Sequence, residues 1–408
     1  MDKTLSNRAI FTEGDDNIFV TADVACKAKA RDPHVINATI GTLYDEMSHF
    51  STVPLFDEEL KKCLTVDGRA YTFTDGGDDF IMGIKHWVFG NYYEEITNKY
   101  FTSAVAAPGG TGAIALAERC YANQDQTILI PSIGWKNYEA IAMQASCKSD
   151  YYNLFKDNKF DLEGFEEKLT EVAKKEKRLF VIINNPCHNP SGYTLSIAEI
   201  DKIVTILKSF TDIPVVLALD IAYFDYEEEE KSRNFFNRFG EIPANFLPLI
   251  CFSASKTFSI YGLRVGALLA VTQSKEVIDN FRVTASSVAR SIWSCPNHHA
   301  LTAMTNILNN SEKRSQFKQA IDKKCDMLEA RGNLFMKEAN ECGLKTLPYV
   351  SGFFITITVK DSDKSLKDLI KHDIYLIPVG PHNLRVAICS ITLEETKGLA
   401  KKIKDIVE

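Results

Sequence analysis

No stretch of the 408-residue chain approaches the ~20 consecutive apolar residues that cross a bilayer, so no membrane partner is expected. Positive charge is in deficit: 47 Lys and Arg stand against 54 Asp and Glu, a formal net charge of −7. A nucleic-acid binder needs a basic face, and this balance argues against one. A local cationic pocket for an acidic metabolite stays open. None of the ten cysteines has Cys-x-x-Cys spacing, so zinc-ligand and redox-dithiol readings lack support and no metal is expected. Unpatterned cysteines in a chain of this size read as reduced thiols of an intracellular protein, which makes the cytoplasm the expected place. Met1 to Ala9 is polar and lacks the apolar stretch of a signal peptide. There is no internal repeat and no low-complexity segment. The nearest approach, Glu227 to Glu230 running into Lys231, reads as a solvated surface turn.

What is present is a rhythm. Thr127–Ile130, Phe180–Ile183, Val215–Leu219, Leu249–Phe252 and Ala267–Val271 are short runs rich in Val, Ile and Leu without polar alternation. Buried strands of a mostly parallel sheet have this pattern. Leu162–Glu176 and Ile197–Phe210 lie between them with helical spacing. Strand and helix in turn predict a doubly wound α/β domain. From about Ala300 the pattern changes to a long helical segment, reaching about Asn340. Three strand-like runs follow, Phe353–Val359, Ile374–Val379 and Leu384–Cys389, and Thr392 with Glu395 has capping-box spacing that opens a C-terminal helix. A large central domain, residues 51–300, is therefore expected beside a smaller α+β domain assembled from residues 1–50 and 301–408.

The most informative segment is Ser253-Ala254-Ser255-Lys256-Thr257-Phe258-Ser259-Ile260-Tyr261-Gly262-Leu263-Arg264-Val265-Gly266, directly after one of the apolar runs. Lysine is rarely placed at the end of a buried strand. Here it has hydroxyls close before it, at Ser253 and Ser255, and a guanidinium after it, at Arg264. A phosphate wants several donors and a guanidinium fork, and an aldehyde cofactor wants a lysine of lowered pKa. The alternative is a surface lysine in a polar loop. Asp220 ends another apolar run, where α/β folds bind ligands, although a helix N-cap explains an aspartate there equally well. Gly109-Gly110-Thr111-Gly112 precedes an alanine-rich stretch, and glycines at a helix N-terminus suit phosphate. It is neither a Walker loop nor a dinucleotide fingerprint. Arg385, inside the apolar Leu384-Arg385-Val386-Ala387, requires an anionic partner to justify burial.

The Lys256 segment resembles the pyridoxal-phosphate (PLP) lysine signature of class I aminotransferases: small, any, small, Lys, a spacer, then Arg, an aliphatic residue and Gly. The resemblance runs from Gly41 to Arg385, and it implies PLP fold type I and an enzyme that transfers amino groups. It implies Lys256 as the lysine that carries the cofactor, with Ser253, Ser255, Arg264, Gly110 and Thr111 around the phosphate. Asp220 would keep the pyridine nitrogen protonated, Tyr223 and Asn189 would share the phenolic oxygen, and Trp135 would stack on the ring. Arg385 and the backbone of Gly41 would face the substrate α-carboxylate. Tyr71 resembles a tyrosine that reaches the phosphate across a dimer interface. Arg290 resembles an arginine of the neighbouring subunit that binds a side-chain carboxylate, with Arg282 as a nearby competitor. The implied partners are an amino acid, a 2-oxo acid and a second copy of the chain.

Two departures stand out. Cys187 and His188 are unexpected before Asn189, and His188 reads as structural. The surroundings of Arg290 match only loosely, which leaves the substrate open. Aspartate and glutamate with 2-oxoglutarate are the first expectation and aromatic amino acids the second. Lyases and decarboxylases share this fold and cofactor, so the resemblance alone leaves them open too. His298 and His299 carry no expectation beyond a helix start.

Overall fold

The structure is a computed structural model that describes residues 17–65 and 67–408. Seven strands form the central sheet: β1 (Phe101–Ala107), β2 (Thr127–Pro131), β3 (Lys148–Tyr152), β4 (Leu179–Asn184), β5 (Val215–Asp220), β6 (Phe246–Ser253) and β7 (Gly266–Thr272). Their spatial order is β1-β7-β6-β5-β4-β2-β3. All neighbours are parallel except β7, which runs antiparallel to both β1 and β6. All five predicted apolar runs are strands of this sheet. Both predicted helices form, at Leu162–Glu176 and Ile197–Ser209.

Helices cover both faces, which is why the strands carry no polar alternation. On β5, Val215, Leu217 and Leu219 enter one core cluster while Val216 and Ala218 enter the cluster on the opposite face. Successive side chains of a strand alternate in direction, so a strand packed on both sides must be apolar throughout. Each such buried Val or Leu contributes roughly 1.5–3 kcal/mol.

A second sheet of three antiparallel strands, β8 (Phe354–Thr358), β9 (Ile377–Pro378) and β10 (Asn383–Ala387), has the order β8-β10-β9. The predicted run Ile374–Val379 is thus not one strand. Ile374–Tyr375 pairs in parallel with Ile36–Asn37, and only Ile377–Pro378 joins the three-stranded sheet. The segment after Asn37 stays with this second body: Ala38 N–H donates to the Tyr375 carbonyl, and Ala387 N–H donates back to the Ala38 carbonyl. The long helical segment is two helices, His298–Leu308 and Ser311–Cys342, the second opened by the Asn310 side chain, which accepts from Lys313 N–H. The passage from one core to the other falls inside that second helix rather than at residue 300. Phe317 and Ile321 belong to the core of the central sheet, whereas Phe335 and Ala339 belong to that of the small sheet. The Thr392–Glu395 capping box forms, but its helix ends at Thr396, and a separate helix runs Leu399–Val407 after Gly398 (φ +72°).

The acidic run is not a solvated turn throughout. Glu227 is buried and accepts a hydrogen bond from Ser351 Oγ at 2.5 Å. No helix among the described residues is long and apolar enough to cross a membrane.

Candidate active site

The parallel strands bring their C-terminal ends into register, Asn184 beside Asp220 and Asp220 beside Cys251. Above them lies a cavity of about 440 Å³. Twelve of the fourteen residues expected from the sequence line it: Gly41, Gly110, Thr111, Trp135, Asn189, Asp220, Tyr223, Ser253, Ser255, Lys256, Arg264 and Arg385. Tyr71 and Arg290 do not.

One end is built for an anion. The helix Gly109–Tyr121 begins without a side-chain cap, leaving its first N–H groups available. Gly109 has φ +74°, and a Cβ there would lie 2.5 Å from Arg264 Nη2. Arg264 is itself held by the Pro108 carbonyl (3.1 Å), the Tyr261 carbonyl (2.8 Å) and Ser255 Oγ (3.2 Å).

Asp220 is buried in the floor. Tyr138 donates its hydroxyl to Oδ2 at 2.6 Å, and Ala222 N–H donates to Oδ1 at 3.0 Å. Burial raises the Asp220 pKa, and these two donors together with the nearby Lys256 pull it back. Lys256 stands on the one-turn helix Ala254–Thr257, its Nζ 5.2 Å from the ring centre of Tyr223 and 5.6 Å from that of Tyr261. Burial lowers its pKa from 10.5 to about 8. Asp220 opposes that fall and Arg264 adds to it.

The far wall carries Arg385 on β10. Nη1 donates to Asn189 Oδ1 (3.2 Å), Nη2 donates to the Thr39 carbonyl (2.8 Å), and the guanidinium lies 4.2 Å from the Phe354 ring centre. Its Nε is buried and unpartnered. A buried cation held only by neutral acceptors, with one donor unspent, suits an incoming carboxylate. Gly41 packs against the same ring; a Cβ there would lie 2.8 Å from Phe354 Cζ. Trp135 is partly buried, with its ring edge-on to Tyr138 at 5.4 Å.

Several residues outside this constellation are now placed. Tyr71 is 83% exposed. Arg290 is exposed and donates to Ser294 Oγ at 3.0 Å. Arg282 does not compete for a ligand within the chain, because it pairs with Asp75 (2.8 Å) and Asp78 (2.7 Å). His188 is buried against Ser191 Oγ at 2.8 Å, lies outside the cavity, and is driven by burial down to about 3. Sequence reasoning missed Tyr138, Tyr261 and Phe354 in the lining. Tyr138 stands on the helix Asn137–Gln144, just after Trp135, and nothing in the local sequence singled it out.

The chain can now be set beside known proteins. A model of the aminotransferase class I and II family matches residues 33–403. An aspartate aminotransferase of Pseudomonas aeruginosa is 27% identical over 305 residues, 72% of this chain and 74% of that protein. The crystal structure of an aminotransferase from Anaerococcus prevotii is 29% identical, with a TM-score of 0.94 over 99% of both chains. An aromatic-amino-acid aminotransferase from Burkholderia pseudomallei, covalently bound to pyridoxal phosphate, has a TM-score of 0.83 over 99% of this chain and 100% of that one. At 21% identity that likeness is one of fold. Fold and cleft together define a PLP-dependent enzyme of the α/β type, and the residues in the cleft fit that cofactor. The chain belongs to the aminotransferase class I and II family, and so is a transaminase acting between amino acids and 2-oxo acids.

Proposed function

We propose that Lys256 carries PLP in this cleft. The reaction moves an amino group from an amino acid, aspartate or glutamate first, to a 2-oxo acid such as 2-oxoglutarate in ping-pong fashion. The supporting observation is the convergence of Lys256, Asp220, Arg264 and the half-satisfied Arg385 on one cavity. When bound, the cofactor supplies an electron sink for the pair released at the substrate Cα. The chain does the rest. Asp220 holds a proton at the ring nitrogen, and Tyr223 and Asn189 donate to the ring oxygen. Trp135 covers the ring face. Ser253, Ser255, Arg264 and the N–H groups of Gly110 and Thr111 bind phosphate. Arg385 would grip the α-carboxylate, with the Gly41 backbone beside it, and so orient the substrate Cα. With the cofactor bound, Lys256 Nζ would be the base that takes the Cα proton and hands it back during the transfer.

Three cations line the cavity, Lys256, Arg264 and Arg385, and each has a role above. An acidic substrate therefore needs a fourth from elsewhere. We assign it to Arg290 of a second copy, in a homodimer where Tyr71 crosses to the phosphate in the same way. The exposure of Tyr71 and of Phe73 (74%) supports such an interface. A second reading, aromatic amino acids as donors, draws support from the Ile40, Trp135 and Phe354 walls. The cytoplasm remains the proposed location, on the cysteine pattern.

The test is an absorbance spectrum of the PLP-loaded protein before and after adding one amino acid at a time, without an oxo acid. Replacement of the lysine-bound cofactor band by the pyridoxamine band, strongest with aspartate or glutamate, supports the reading. Strongest conversion with tyrosine or phenylalanine moves it to the aromatic alternative. Absence of any lysine-bound band overturns the Lys256 assignment.

A further inference from the structure

Lys256 sits on a helix of a single turn, which has little stability of its own. Something outside the cleft must fix where the lysine points. The next residue, Thr257, is 1% exposed, and its hydroxyl donates to Asp225 Oδ2 at 2.6 Å. The same oxygen accepts from Trp87 Nε1 at 3.1 Å, and Asp225 Oδ1 accepts from Arg233 Nη2 at 2.9 Å. Arg233 is 2% exposed. It also donates to the Trp87 carbonyl, and its guanidinium lies 4.6 Å from the Phe224 ring centre. From a second direction Tyr226 donates its hydroxyl to the Lys256 carbonyl at 2.9 Å. None of these supporting residues lines the cavity.

A fully buried ion pair is a poor source of stability, because well-packed apolar residues of the same volume serve as well or better. What it provides is direction: a carboxylate with its donors satisfied on both oxygens can hold a hydroxyl in one place. We infer that Thr257 and Asp225 are positioning residues for Lys256. Asp225, set by Arg233 and Trp87, fixes the turn through the Thr257 hydroxyl, and Tyr226 fixes it through the Lys256 carbonyl. The charged and titratable groups that then face Nζ are Asp220, Arg264, Arg385, Cys389, Tyr223 and Tyr261.

The inference rests on Lys256 being the working amine, so its test includes a measurement that needs no cofactor. In the apoprotein, Lys256 is labelled with acetic anhydride across a pH series and its acetylation read by peptide mass. Thr257→Val should move the labelling midpoint by about half a unit or more, and Thr257→Ser should restore it. In the loaded enzyme Thr257→Val should lower kcat about tenfold with little change in KM. Tyr226→Phe, which removes only the donor to the Lys256 carbonyl, should shift the same midpoint and keeps the test open if Thr257→Val does not fold. A wild-type midpoint in every variant that folds would overturn the inference, even where thermal stability falls. The labelling reads the amine alone, so it stands apart from whether Lys256 carries PLP, which Lys256→Ala tests by loss of the absorbance band.

Discussion

At the residue scale burial displaces the Lys256 amine downward and the Asp220 carboxyl upward; the first displacement suits a base, while the second opposes the ionised carboxylate, and the donors around Asp220 counter it. A free Lys256 amine near pKa 8 is partly unprotonated at neutral pH and can act as a base. Lys256→Ala should therefore bind PLP but show no turnover; turnover near the wild-type rate would remove the lysine from its role. The same shift carries a stability consequence. Between about pH 8 and 10.5 the unfolded chain keeps a proton that the folded chain has lost, so apoprotein stability rises with pH across that window. Lys324, buried and likewise lowered to about 8, adds to the slope. Urea midpoints of the apoprotein at pH 8 and pH 10 should differ in that sense, and Lys256→Ala should reduce the difference. Asp220 gives a second prediction. Tyr138→Phe deletes a hydrogen bond to a buried carboxylate, a contact of about 1.5–3 kcal/mol. Ionised Asp220 should become harder to keep, moving the acid limb of the kcat–pH profile upward by about one unit. An unmoved limb would mean that the tyrosine only fills space.

Elements decide whether those residues meet. The turn into the helix Gly109–Tyr121 is a close three-way contact: a Cβ on Gly266 would lie 2.6 Å from the Gly109 carbonyl carbon, and one on Gly109 would meet Arg264. Gly109→Ala should cost about 1 kcal/mol or more from its positive φ and push the guanidinium aside. PLP affinity, measured by equilibrium dialysis, should fall at least about tenfold while the melting temperature moves only a few degrees. Unchanged affinity would place the phosphate elsewhere. The turn was legible in the sequence because glycines before a helix have a physical use, and β2 and β4 to β7 were legible because strands buried on both faces must be apolar. Strands β1 and β3 were not. Phe-Thr-Ser-Ala-Val-Ala-Ala is rich in small residues that suit a helix equally well, and Lys-Ser-Asp-Tyr-Tyr lies at the sheet edge, where one side meets solvent. Tyr138, Tyr261 and Phe354 escaped for a related reason. Each acts through a position that only the tertiary fold creates, so no local spacing singled out its function.

At the scale of the whole molecule, the acidic reading depends on the proposed homodimer, because the fourth cation has to come from a second copy. Arg290 lies on the helix Lys275–Ile292, exposed and outside its own chain's cavity, so it can serve an acidic substrate only in trans. That geometry makes a sharp prediction. Lys256→Ala should be inactive, and Arg290→Asp should be weak on glutamate and aspartate. Dimers formed by mixing the two in equal amounts contain hybrids in which one site has an intact Lys256 from one chain and an intact Arg290 from the other. Random pairing puts half of the dimers in this state with one working site of two, so glutamate activity should recover to about a quarter of wild type. If Arg290 acted within its own chain, mixing would rescue nothing, since every chain with a working lysine would lack its arginine. If Arg290→Asp alone left glutamate turnover intact, the acidic assignment would fall. The apolar walls of Ile40, Trp135 and Phe354 would then point to aromatic donors.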